Sequence, residues 1–342
     1  MKITWVSPHG DGWSLAYRLR EMGNKVVLYN PKNKSGQGYL PQVTSAAWLD
    51  FAKKSDLVVV DGVPDSRRTR RSWSASDLAV DIAQLRHAGV PVLGPTPTTE
   101  LLHNDPRYRK KILRRHELDY VEDLPGDAIQ VTVSLDPDGA AWLIFRHRYL
   151  LGQGNGPELG NLGDVVLPLS AGQPLVKQTV GRFDGFLQTV GHRGYLNLDL
   201  AVSERKHQVR DVTTGFLYPA VFVQFPNLLL RGSEQTVVPG LAVSLLDLER
   251  HESNRRVQEL LEHQGVFGGE LHREPEEAGA FLHGLFAGAV VGIDKDWALV
   301  EADVYRKLRH IVGLNPGLGF RSDIGKDVGV HLDRLRSWGY LV

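Results

Sequence analysis

The sequence predicts an α/β protein whose opening third is a parallel sheet with helices on both faces and whose remainder is largely antiparallel. Three observations carry that prediction. Short β-branched runs alternate with helically spaced apolar residues over the first hundred positions. From about residue 127 the rhythm becomes strand, tight turn, strand around Asp136-Pro137-Asp138-Gly139. The chain has 342 residues, 42% hydrophobic and 23% charged, which is enough to bury a core in each of two packed lobes and excludes a disordered or miniature scaffold.

Taken in order, Lys2 to Val6 reads as a buried strand, His9 to Gly12 as a glycine-bearing turn, and Trp13, Leu15, Ala16, Leu19 and Met22 as one helix face that ends at Gly23. Lys25 to Tyr29 is a second strand and Asp56 to Asp61 a third. A helix over Asp77 to His87 closes at Gly89, and Val90 to Leu93 is a fourth strand that runs into Gly94-Pro95-Thr96. The stretches IQVTVSL and AAWLIFRHRYLL form a hairpin, followed by a glycine-rich loop from Gly152 to Gly163. Beyond it the pattern predicts a helix over Leu175 to Val190, strands over Tyr195 to Val202 and Gln208 to Thr213, and a helix over Asn254 to His263. A strand near Ala289 to Ile293 and an amphipathic helix over Trp297 to Val312 close the reading.

Forty basic and forty acidic side chains give no net field, so wholesale attraction to nucleic acid is not implied. No stretch approaches the roughly 20 apolar residues of a membrane span, and the N-terminus lacks a signal-peptide pattern, so a cytoplasmic protein without membrane contact is expected. The absence of cysteine removes disulfides, thiolate metal sites and thiol nucleophiles.

Three stretches could carry chemistry. The turn His9-Gly10-Asp11-Gly12 lies between a strand and a helix N-terminus, where free N–H groups favour a phosphate; an ordinary tight turn is the plainer alternative. Arg67, Arg68, Arg70 and Arg71, followed by Trp73, could grip phosphates or stack on a base, against the simpler reading of a solvated loop. Glycines between 152 and 163 could let the backbone wrap a small ligand. The thirteen histidines show no ligand spacing, and His147 sits between Arg146 and Arg148, where a metal would be repelled.

In their order along the chain these stretches resemble glycinamide ribonucleotide synthetase (phosphoribosylamine–glycine ligase), of the ATP-grasp superfamily. Ser7 to Leu15 stands where that family has a Gly-Gly-Arg-Glu-His loop, and Asp56 to Asp61 with His87-Ala-Gly-Val-Pro-Val-Leu-Gly-Pro95 resembles the end of its first subdomain. Glu122-Asp-Leu-Pro-Gly126 with Val131-Thr-Val133 is similar to the hinge strand that supplies a carboxylate near the ATP ribose. Asn155-Gly-Pro-Glu-Leu-Gly-Asn-Leu-Gly163 is similar to the substrate loop, placing Gly156, Glu158 and Gly160 at a substrate. Gly191-His-Arg-Gly-Tyr-Leu-Asn-Leu-Asp199 resembles a core strand, and Gly292 through Phe320-Arg-Ser-Asp-Ile-Gly325 the closing subdomain with Arg321 and Asp323. The resemblance implies a Rossmann-like pre-ATP-grasp domain over 1–105, an ATP-grasp core over 106–235 and a small closing α+β subdomain over 236–342. It also implies a reaction: ATP phosphorylates a carboxylate, an amine attacks the acyl phosphate, and an amide, ADP and phosphate leave.

The departures bear on activity. The family places a nucleotide-covering subdomain, with lysines for the phosphates, before the hinge strand; here Leu118-Asp-Tyr-Val121 runs directly into Glu122. Asp211 stands where a magnesium-binding Glu is expected, Thr213 where a magnesium-binding Asn is, and Gly215 replaces an arginine. Phosphoryl transfer depends on positioned cations, and losing several would cost about 4 kcal/mol or more of transition-state stabilisation. Two functions compete. A divergent ligase would hold ATP and magnesium between Glu122, Asp199, Asp211 and Thr213, with Arg146, Arg148 or the Arg67 to Arg71 loop supplying positive charge. A pseudoenzyme would serve as a binding or structural module for a protein or, through its arginine loop, for nucleic acid; a lidless copy of a housekeeping enzyme is the pattern expected of a phage or other mobile genome. A third reading keeps His9, Gly10, Gly12, Arg321 and Asp323 for a small sugar phosphate without turnover.

Overall fold

A computed structural model describes residues 1–64, 67–68, 73–74, 76–149, 159–230, 237–247, 255–257, 260–273, 280–282 and 286–342. The opening lobe follows the predicted rhythm: β1 (Lys2–Val6), α1 (Trp13–Glu21), β2 (Lys25–Tyr29), α2 (Trp48–Ala52), β3 (Leu57–Val60), the ribbon β4 (Arg67–Arg68) and β5 (Trp73–Ser74), α3 (Asp77–His87), β6 (Val92–Leu93), α4 (Pro97–Asn104) and α5 (Pro106–Arg115). Its sheet is parallel in the order β2-β1-β3-β6. Val58, Val59 and Val60 are fully buried, as expected of a strand covered on both faces. Three helices start on side-chain caps that satisfy free N–H groups: Ser76 accepts from Ala79, Thr96 from Thr99, and Asp105 from Arg107 and Tyr108. Proline fills the first position of both α4 and α5, where its missing N–H is no loss.

The rest of the chain builds an antiparallel sheet from β7 (Ile129–Leu135), β8 (Ala141–Tyr149), β9 (Leu159–Leu169), β10 (Leu196–Val202), β11 (His207–Thr213) and later strands. Asp136 locks the β7–β8 turn: Oδ1 accepts from the amides of Asp138 and Ala140, and Oδ2 from the Trp142 indole. Between β9 and β10 lie α6 (Pro174–Gln178), a 3₁₀ turn (Val180–Phe183) and α7 (Asp184–Thr189), so the single helix expected over 175–190 is broken into three short pieces. After β11 come α8 (Val221–Leu230), β12 (Gly240–Asp247), β13 (Arg255–Val257), β14 (Val266–Gly268), β15 (Leu271–His272), β16 (Ala280–Leu282), β17 (Phe286–Ile293), α9 (Trp297–Leu314), β18 (Leu318–Gly319) and α10 (Val328–Ser337). The large sheet runs β11-β10-β7-β8-β9-β12-β17-β14, with β18 against β12, so it continues across residue 235 without a break. No described helix is long and apolar enough to cross a membrane.

Two further expectations change. Residues 255–257, expected in a helix, are a strand paired with β16. The glycine-rich stretch expected as a loop through Gly163 is strand β9 from Leu159 onward, paired with β8. The N-terminal lobe is tied to the last strands: Trp13 Nε1 donates to Gly269 O (2.6 Å), Arg18 to the carbonyls of Leu261 and Val266 (3.0 Å each), and Gly36 N to Leu271 O (2.9 Å).

Candidate functional site

The resemblance places a nucleotide-covering subdomain between α5 and the hinge strand. All of residues 116–128 are described, and they join α5 to β7 with one isolated bridge, Tyr120 to Val209, and no further sheet. Asp199 on β10 and Asp211 on β11 are register partners on adjacent strands, so antiparallel pairing does bring two of the predicted residues together.

Neither carboxylate stands free. Asp211 Oδ1 lies 2.5 Å from Arg109 Nη1, a guanidinium that α5 lays across the strand and that also donates to His103 O at 3.0 Å. A second acceptance, from Val212 N at 2.9 Å, uses the same Asp211 oxygen. Asp199, 6% exposed, accepts from Gln130 Nε2 through both carboxylate oxygens, at 3.0 and 2.8 Å, and Arg210 is 3.9 Å away. Glu122 pairs with Lys110 at 2.9 Å, and that lysine also lies over the Tyr120 ring. The backbone carbonyl of Thr213 accepts from Asn197 Nδ2. His103 on α4 donates through Nδ1 to Val212 O; burial lowers its pKa while the Asp211 charge opposes the shift.

Magnesium demands several oxygen ligands in near-octahedral order. Where Asp211 would offer one, an arginine already supplies the positive charge, and bringing a divalent ion to that oxygen means expelling a guanidinium that is only 11% exposed. Among the described residues no group of three or more histidine, aspartate or glutamate side chains could hold a metal ion. The donor set at Asp211 and Thr213 thus does not fit the metal that the resemblance implies.

The first turn is also unlike a phosphate cradle. Gly10 has φ +84°, and the Asn33 side chain lies directly on it, donating to His9 O at 2.7 Å. A Cβ on Gly12 would overlap Asp61 Oδ2 and Tyr218 Oη, so glycine is required there by a carboxyl and a phenol rather than by room for a ligand. Asp61, at the end of β3, is buried and receives Trp5 Nε1 at 2.7 Å. Burial pushes its pKa up to about 7, with Ser7, Trp5 and the Gly12 amide opposing and Asp11 adding to the rise. Asp11 is itself raised by burial; His9 opposes the shift and Glu270 adds to it. Tyr218 Oη is buried beside Asp61, and burial with the nearby Asp61 and Asp11 raises its pKa well above the ordinary value. His9 Nε2 is occupied by Val63 O at 3.0 Å. Carboxyls and a phenol thus wall the turn that should have welcomed an anion.

Between β18 and α10, Arg321 and Asp323 hold each other in a two-bonded pair of 2.6 and 2.8 Å, close enough to His147 on β8 to influence its titration. That pairing lowers the Asp323 pKa. Gly160 lies on β9, whereas Gly156 and Glu158 fall outside the described residues, as do Arg70 and Arg71; Arg67 and Arg68 form β4. The sequence reading missed Arg109, Lys110, Gln130, Asp61 and Tyr218. Three of them had a visible signal: Arg109 and Lys110 lie in α5, which is crowded with cations, and Asp61 follows three valines at the C-terminal end of a parallel strand, where α/β sites gather.

No protein-family model matches the sequence, and no curated protein sequence matches it. Solved structures do match in fold. Phosphoribosylamine–glycine ligase from Thermotoga maritima superposes with a TM-score of 0.65 at 12% identity, over 94% of this chain and 100% of that one. N5-carboxyaminoimidazole ribonucleotide synthetase from Thermus thermophilus gives 0.56 at 13%, over 92% and 99%. The Staphylococcus aureus N5-carboxyaminoimidazole synthetase complexed with ADP gives 0.52 at 12%, over 90% and 97%. With its parallel opening sheet and broad antiparallel core, the chain is built on the fold of the ATP-grasp carboxylate–amine ligases.

Proposed function

We propose that this protein is a non-catalytic form of the ligase scaffold, a binding or structural module in which ATP-driven amide formation has been lost. The observation that carries this reading is the Arg109–Asp211 pair: the chain's own guanidinium stands where a divalent ion would have to reach the carboxylate. Two others support it. Glu122 and Asp199, expected at the nucleotide, are engaged by Lys110 and by Gln130, and the thirteen residues from 116 to 128 carry no cover that could neutralise phosphates. ATP and magnesium are therefore not assigned as cofactors. Structural neighbours of the same fold include a synthetase complexed with ADP, so the alternative is directly testable. Melting temperature is measured with millimolar ATP and magnesium for the wild type and for Asp211→Ala. The expected outcome is no upward shift in either; a ligand at 100 times its Kd would add about 2.7 kcal/mol of stability. A wild-type shift that vanishes in Asp211→Ala would overturn the proposal and restore the ligase reading.

A further inference from the structure

The helix α5, Pro-Arg-Tyr-Arg-Lys-Lys-Ile-Leu-Arg-Arg, has six cations in ten residues and no acid. The structure divides them. Arg109 and Lys110 turn to the cleft, where Asp211 and Glu122 receive them. Arg107, Lys111, Arg114 and Arg115 are exposed, and none has an ion pair among the described residues. At 3.6 residues per turn those four share an arc of about 100° on the side opposite the buried Leu113. Like charges three and four residues apart destabilise a helix, so a face of this kind is costly without an anionic partner. Two of the acids that follow are engaged elsewhere, Glu117 by Arg182 and Glu122 by Lys110.

The sequence has a second basic stretch, Arg67 to Arg71, and the chain leading to it passes close to the start of α5. Pro64 O accepts from Asn104 Nδ2 at 2.9 Å, one residue before the Asp105 cap of α5, and β4 with Arg67 and Arg68 starts three residues after Pro64.

We propose that the outward face of α5, formed by Arg107, Lys111, Arg114 and Arg115, binds the phosphate backbone of nucleic acid without reading base sequence. A ten-residue helix is about 15 Å long, and duplex DNA presents one phosphate charge per roughly 1.7 Å, so all four cations meet phosphates along a short stretch of backbone. Arginine suits this role because its fork matches phosphate oxygens. The inference is separate from the reading of the cleft, because none of the four side chains pairs with a cleft residue.

Fluorescence anisotropy with a labelled 20-base-pair duplex of arbitrary sequence, at salt between 50 and 200 mM, tests it. The wild type is expected to bind two unrelated duplexes equally, with log K falling against log salt at a slope of about −3 to −4. The triple variant Lys111→Ala/Arg114→Ala/Arg115→Ala, whose positions are all exposed, should keep its melting temperature, bind at least tenfold more weakly and lose about 2 to 3 of that slope. The charge-matched control Lys53→Ala/Lys54→Ala/Lys295→Ala, which also removes three exposed cations, should bind as the wild type does. No binding at 50 mM salt overturns the proposal. So does a triple variant with unchanged affinity and slope, a control that weakens as much as the triple variant, or displacement of the duplex by polyglutamate at equal charge.

Discussion

Asp61 and Asp211 occupy the same protein under opposite regimes. Asp61 is buried beneath the first turn, receives only neutral donors, and has its charge suppressed by burial until about pH 7. Asp211, 46% exposed, is met by a guanidinium that cancels its charge. Desolvation does to one what an opposite charge does to the other, and the outcome for a bound ion is the same: neither oxygen is offered. A cleft can thus be silenced without deleting its carboxylates. Counting acidic residues in a sequence says little about metal binding until the partner of each is known.

The largest expected effect breaks the comparison at Asp61. Because its folded pKa, about 7, lies above the ordinary 3.8, the folded state holds the proton more tightly; that contribution is complete below about pH 4 and is lost as pH rises through 7. Asp61→Asn removes the titration. Its unfolding free energy relative to wild type should therefore rise by about 4 kcal/mol between pH 4 and pH 8, read from denaturant titrations. Parallel pH curves for the two proteins would show that Asp61 is not held as described. Next comes Gly12→Ala, whose methyl group must displace Asp61 or Tyr218; a loss of about 3 kcal/mol is expected, and a variant as stable as wild type would mean that the turn has room for a ligand after all. The smallest effect belongs to the other carboxylate. Since Asp211 is half in water, Arg109→Met should cost only about 1 kcal/mol, and a loss above 3 would place this pair in the buried class.

Much of the architecture was legible because the opening lobe speaks in local signals. Valine runs, capping residues and glycine stops each mark an element within a few positions, and the Asp136 turn announces its hairpin. Legibility falls where tertiary packing decides. The α8 segment Val-Phe-Val-Gln-Phe-Pro-Asn-Leu-Leu-Leu is apolar nearly all round and contains Pro226, so it shows no helical stripe. Residues 255–257 read as helix because a three-residue strand has no period of its own and is fixed only by β16. At the site, the strand positions of Asp199 and Asp211 could be named from their neighbours in sequence, but the side chains that engage them, Gln130 and Arg109, lie 69 and 102 residues away. Partners at that range leave no trace in local pattern.

The indole of Trp13 that reaches Gly269 spans 256 positions of chain. During translation at 5 to 20 residues per second, the first helix waits on the order of 10 to 50 s for that carbonyl to be made. Until then its large ring and the neighbouring Tyr39 lack the cover they have in the finished molecule. The nascent N-terminal lobe is consequently the stretch in which a chaperone would find exposed apolar surface, and truncation of the final strands should be felt first at the opposite end of the polypeptide.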